Sequence, residues 1–132
     1  EDETAYAIEW MWDESIPALV DDLFEHNGPH AGPKETAMIT HLAPDLVRTD
    51  RLEDARDDGL VHLDESDAVV HGARTFYDAV DNSANGAFGD PTDVTPDKAE
   101  RLFEAASDQL VQLVEWLEAR DRDELLPKDR VA

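Results

Sequence analysis

Apolar residues recur along this chain in two rhythms, and each predicts a different element. Tyr6, Ile8, Trp10 and Trp12 alternate at period two, with Ala5, Ala7 and Met11 between them. That pattern predicts a largely buried β-strand over about residues 4–12. Beyond it the spacing changes to three and four. Asp13 to Ser15 offer N-cap side chains and Pro17 suits a first helical turn. Leu19, Val20, Leu23 and Phe24 then give the stripe of a short helix over about 15–25, closed by Asn27-Gly28-Pro29. A second helix is predicted over about 33–43, from Pro33 through Met38, Ile39 and Leu42, with Pro44 as its stop. The strongest pattern comes last. Thr95 caps, Pro96 opens the first turn, and Ala99, Leu102, Phe103, Ala106, Leu110, Leu113, Val114 and Leu117 follow at helical spacing, which predicts a long amphipathic helix over about 96–120. Between residues 45 and 95 the pattern is irregular, with acidic turns and one short strand at Ala68 to Val70.

A strand as apolar as Tyr6–Trp12 belongs inside a sheet with helices on both faces. Its neighbouring strands are missing from this sequence, and a lone strand has nothing to pair with. The pattern therefore predicts part of an α/β domain. The chain starts at Glu1 without an initiator Met, which fits processing or a start partway through a longer protein.

Composition narrows the function. There are 33 Asp plus Glu against 11 Lys plus Arg, a formal net charge of −22 on 132 residues. Neutralising nucleic-acid phosphates with so few cations is excluded as a main activity. High net charge alone would suggest disorder, but 41% of the residues are hydrophobic and patterned, so a folded protein with a carboxylate-coated surface is expected. Asp outnumbers Glu by 20 to 13 and only Lys34, Lys98 and Lys128 are lysines. Such a surface stays hydrated in concentrated salt, where repulsion is screened within about 3 Å at 1 M; the expected source is a halophile. The absence of cysteine removes disulfides and thiolate metal sites and fits a reducing compartment. No apolar run approaches the roughly 20 residues of a membrane span, and the expected location is cytoplasmic.

Two irregular segments carry the candidate chemistry. His30-Ala31-Gly32-Pro33-Lys34-Glu35-Thr36 places an imidazole and a carboxylate five residues apart, across a Gly-Pro turn at the start of a helix. Turns of this kind hold side chains rigidly and present free backbone N–H groups; His and Glu suit metal binding and acid–base work. The second segment, Ser83-Ala84-Asn85-Gly86-Ala87-Phe88-Gly89-Asp90-Pro91-Thr92, follows at a distance that lets both form one site. Ser83, Asn85 and Asp90 are candidates to orient a substrate, with turn formation as the alternative. Trp10 and Trp12 are candidates to stack on a planar substrate, with core packing as the alternative. His41, His62 and His71 lack a partner at metal-ligand spacing.

With both segments in view, the chain resembles the C-terminal half of the creatininase (creatinine amidohydrolase) family. His30-Ala31-Gly32-Pro33-Lys34-Glu35-Thr36-Ala37-Met38 is similar to that family's HAGxxETSxM segment. Ala43-Pro44-Asp45-Leu46-Val47 is similar to the Ala-Pro-Glu-Leu-Val that follows it. Asn85 to Thr92, with Thr95 and Lys98, resembles the Gly-x-x-Gly-Asp-Pro loop before the family's final helix. Pro33, Lys34 and Ala37 depart from its usual residues. The first-half motifs, a Glu-x-His-Gly-x-His run and an Asn-Gly-His-Gly-Gly-Asn loop, do not occur here.

The resemblance implies a three-layer α/β/α fold of which residues 1–132 are the C-terminal portion. It implies a metal-dependent hydrolase of non-peptide C–N bonds, such as a cyclic amide or formamide. Two divalent ions (Zn, Mn or Fe) would be held mostly by residues outside this chain. Glu35 would be a metal ligand, and His30 the acid–base residue that protonates the leaving nitrogen; Trp10, Trp12, Ser83 and Asn85 would contact substrate. The alternatives are a first-turn Glu35 favourable to the helix dipole and a His30 bonded to backbone. Implied partners are a small-molecule substrate, the N-terminal half of the same protein or a second chain, and further copies in a homo-oligomer, a hexamer by resemblance. Neither nucleic acid nor membrane is implied. The other reading is a non-catalytic half-domain that serves as a scaffold or binding subunit.

Overall fold

Thr95 and Pro96 set the longest element of the computed structural model, which describes residues 8–25, 28, 30–56, 85–87 and 89–125. In chain order the helices are α1 (Pro17–Leu23), α2 (Pro33–Leu42), α3 (Pro96–Glu118) and the short α4 (Arg122–Leu125). Three 3₁₀ segments, Pro44–Leu46, Thr49–Ala55 and Pro91–Asp93, lie between α2 and α3. The Thr95 hydroxyl accepts the Lys98 N–H at 3.3 Å, which satisfies one of the donors that a helix start leaves open. Pro occupies the first turn of α1, α2 and α3 alike, where its missing N–H costs nothing.

The core lies where α1 and α2 pack on the first half of α3. Val20, Leu23 and Phe24 meet Ala37, Ala99 and Leu102 there, with Trp12, Ile16, Leu19, Met38 and Val94 packed around them. Ala37 and Ala99 are fully buried, as is Leu102. The two alanines remove side-chain bulk from the α2–α3 contact, and Leu102 fills the space between; burying a leucine contributes roughly 1.5–3 kcal/mol. His41 stacks on Phe103 with ring centroids 4.5 Å apart, a second link across these helices. Further along α3 the apolar stripe has no cover among the described residues: Leu110, Val111, Val114 and Trp116 are all exposed.

The strand expected over 4–12 is not present among the described residues. Residues 8–11 carry no regular structure, and Trp12 to Ser15 form a turn in which the Ser15 N–H and hydroxyl both donate to the Trp12 carbonyl. Residues 4–7, the remainder of that strand, and the expected strand at 68–70 lie outside the described residues. Among the described residues no segment pairs with residues 8–12, and a strand is defined by pairing rather than by its own alternation. Asp13 and Ser15 do not cap α1 either. The N-cap is Ile16, without a side-chain bond, because Asp13 is committed to Lys34 and Ser15 to its own turn. No helix among the described residues is long and apolar enough to cross a membrane.

Candidate functional site

The two irregular segments singled out in the sequence come into direct contact, and glycine makes this possible. A Cβ added at Gly89 would lie 2.8 Å from the Gly32 Cα and 3.1 Å from the Gly28 Cα. Main chain therefore packs on main chain where the His30 turn meets the Gly89-Asp90-Pro91 loop. No side chain larger than hydrogen fits between them.

Ala31, between His30 and Gly32, adopts φ 51°, the left-handed region. For a residue with a Cβ this costs roughly 1–2 kcal/mol, and such positions persist only where the surroundings hold them. Past the turn, Gly32 is the N-cap of α2, and its N–H donates to Glu35 Oε2 at 3.2 Å. This is half of a capping box, the carboxylate reaching back to the cap, and it fixes Glu35 in the first turn. Lys34 turns the other way and donates to Asp13 Oδ2 at 2.6 Å. The Lys34 hydrogen bond, opposed by burial and reinforced by the ammonium's charge, holds the Asp13 carboxyl below its ordinary value of 3.8. The turn before α1 is thereby tied to the start of α2.

The second loop is organised by Asp90 and Asn85. Asp90 Oδ1 accepts the Thr92 N–H at 3.0 Å and also the Thr92 hydroxyl, capping the 3₁₀ turn Pro91–Asp93. Its Oδ2 lies 2.9 Å from Arg56 Nε. Asn85 donates to the Asp54 carbonyl at 2.6 Å and accepts the Ala87 N–H at 2.8 Å. At Gly86, φ of +86° completes that turn. Both polar side chains therefore stitch the loop to the end of the Thr49–Ala55 segment.

Ala31, Glu35 and Thr36 line an open cavity of about 310 Å³ together with Arg48, the N-cap of the Thr49–Ala55 segment, and Arg51 within that segment. Ile39 and Leu52 supply apolar lining. The volume is at the lower end of small-molecule sites. Of the residues expected from sequence, Glu35 lines this cavity. His30 is exposed at the adjoining turn and is not part of the lining. Trp12 packs against the core and Trp10 is half-buried; neither lines the cavity. Ser83 lies outside the described residues. Arg48 and Arg51 were not expected, because the segment that carries them has no apolar period and no motif to mark it.

No three His, Asp or Glu side chains among the described residues are grouped so as to hold a metal ion. A dinuclear centre therefore does not fit the described residues alone. Glu35 lines the cavity singly, with Oε2 accepting the Gly32 N–H at its own helix start.

No curated protein and no solved structure matches the chain. The family model described as creatinine amidohydrolase matches residues 1–114, a span that takes in both loops, α1, α2 and most of α3. On that match the chain is a member of the creatininase family.

Proposed function

We propose that this chain supplies part of the catalytic site of a metal-dependent amidohydrolase that opens a non-peptide C–N bond in a small cyclic amide or formamide. Membership of the creatininase family implies an α/β fold and points to metal-dependent amidohydrolase chemistry; the roles of individual residues are our assignment. The observation that carries it is the meeting of the His30 turn and the Gly89 loop beside a cavity that Glu35 lines.

Glu35 is assigned as a carboxylate ligand, with the remaining ligands supplied by an N-terminal half or a second chain. When bound, paired divalent ions acidify a water and polarise a carbonyl oxygen. His30, exposed beside the cavity, holds the proton and delivers it to the departing nitrogen. Asn85 and Asp90 hold the second loop to the end of the Thr49–Ala55 segment. The exposed stripe Leu110, Val111, Val114 and Trp116 supports the need for a covering partner, as large contiguous apolar patches on soluble proteins mark interaction surfaces. We assign that role to the missing half of the three-layer α/β/α domain, within a homo-oligomer.

Replacing the two residues in the complete protein tests the assignment. Glu35→Ala should lower metal per subunit as well as turnover, since a divalent ion loses a ligand. His30→Ala should keep its metal while turnover falls by ~10²–10⁴-fold, the usual contribution of an acid–base group. Full metal content and normal turnover in Glu35→Ala would leave Glu35 as a helix-start residue only.

A further inference from the structure

Cations are scarce in this chain and almost all of those described are neutralised. Lys34 pairs with Asp13, Arg51 with Asp54, Arg56 with Asp90, Lys98 with Asp93, Arg101 with Asp22 and Arg120 with Glu124. Among the described side chains Arg48 is the exception, in a chain with three acidic residues for every basic one. A guanidinium without a carboxylate is unexpected at such a ratio, and this one stands on the wall of the cavity that Glu35 lines. Arg51 joins it there for a geometric reason. The Arg51 N–H donates to the Arg48 carbonyl at 2.9 Å, and residues three apart in a 3₁₀ turn eclipse one another on the same side. The turn thus brings two arginines to the lining that Glu35 shares, Arg51 paired with Asp54 and Arg48 with no carboxylate partner among the described residues.

We infer that Arg48, assisted by Arg51, binds an oxyanion group of the substrate, so that the substrate class is a small amide bearing a carboxylate or a phosphate. This rests on the reading of Glu35 as the reaction side of the cavity. Arginine matches both oxyanions with paired N–H donors. An arginine left unpaired in an acidic protein also sets the orientation. The anionic end of a ligand is repelled by the carboxylates elsewhere and accepted only at this wall, which turns the neutral amide end towards Glu35 and His30. Arg48 is in these terms a specificity residue.

The test uses the complete protein with inorganic phosphate and acetate as probes, titrated by phosphorus and carbon NMR at fixed ionic strength in KCl. Either probe should bind in preference to chloride, and the tighter of the two identifies the substituent. Arg48→Ala should raise that dissociation constant roughly tenfold or more, the usual effect of losing a charge-assisted pair, while metal content stays unchanged. Arg101→Ala, which removes an exposed arginine paired with Asp22, should leave probe binding as it was. The proposal is overturned if neither probe competes with chloride. It is equally overturned if Arg48→Ala and Arg101→Ala weaken binding alike, or if Arg48→Ala leaves probe affinity unaltered, whether or not the melting temperature falls. Metal analysis of Glu35→Ala in parallel separates the two assignments. Retained metal there with lost phosphate binding in Arg48→Ala removes the role of Glu35 and keeps the anion site.

Discussion

Gly89→Ala is the most direct probe of whether the two loops share one site. The added methyl carbon would lie 2.8 Å from the Gly32 Cα, 3.1 Å from the Gly28 Cα and 3.2 Å from the Gly28 nitrogen. Carbon pairs are at their optimum near 3.5–4.0 Å, so one contact is short by about 0.7 Å or more. All three neighbours are main chain, and none can swing away as a flexible side chain would. The loops must separate, at a cost in the range of overpacked cores, about 1–3 kcal/mol and nearer the upper end here. Each kcal/mol lowers the melting temperature by roughly 2–8 °C, depending on chain size. Thermal unfolding of the complete protein in molar KCl, followed by far-ultraviolet circular dichroism, reads this directly. Gly86→Ala is the matched comparison. At φ +86° with no heavy atom within 4 Å of the new methyl, it carries only the left-handed backbone cost of roughly 1–2 kcal/mol and leaves the loops in contact. Turnover should therefore drop more in Gly89→Ala than in Gly86→Ala. If the Gly89→Ala protein melts within a degree of the parent and works at its rate, the two loops do not touch as described and the shared site is lost with them.

Two further outcomes follow from charge. With a net of −22 on 132 residues, repulsion reaches about 10 Å at 0.1 M salt and about 3 Å at 1 M, so the melting temperature should climb steeply with KCl; a flat profile would count against a salt-adapted surface. Lys34→Ala should cost about 1–3 kcal/mol near neutral pH by removing a charge-assisted bond to a mostly covered carboxylate. Asp13 has a folded pKa below its ordinary 3.8, so its stabilisation is fully present above 3.8 and disappears as pH falls through the lower folded value. The gap between parent and Lys34→Ala in urea unfolding should accordingly close below pH 3.8, and a gap that stays constant into strong acid would show the pair to be irrelevant.

The sequence made the helices legible because each carries its own signals. Thr95 and Pro96 open α3, Pro44 closes α2, and the apolar spacing fixes their buried faces, so the observed Pro33–Leu42 and Pro96–Glu118 fall close to the expected spans. Tyr6–Trp12 shows the limit of the same method. Alternation reports which faces could be buried, but a strand depends on a partner, none pairs with residues 8–12 among the described residues, and Trp12 packs against the helical core instead. The loops were readable as chemistry and not as geometry. Gly-Asp-Pro announces a turn, whereas its approach to Gly32 is a tertiary fact with no local signature. Arg48 was missed for a related reason. An arginine becomes informative only when its neighbours are known to lack a carboxylate, and pairing is invisible along a chain.

The unequal covering of α3 has a consequence in distance. At 1.5 Å per residue its 23 residues form a rod of roughly 35 Å. The Gly89 loop leads into one end, and the core grips the rod only as far as Ala106. From there to Glu118 the helix overhangs by roughly 18 Å, carrying Val111, Val114 and Trp116 in the open. A chain that clasps Val111, Val114 and Trp116 would do so roughly 23–30 Å along the helix from its first residue, beyond the part that the core grips. The first half of one helix thus carries the core, while its second half carries large apolar side chains that the described fold leaves in solvent.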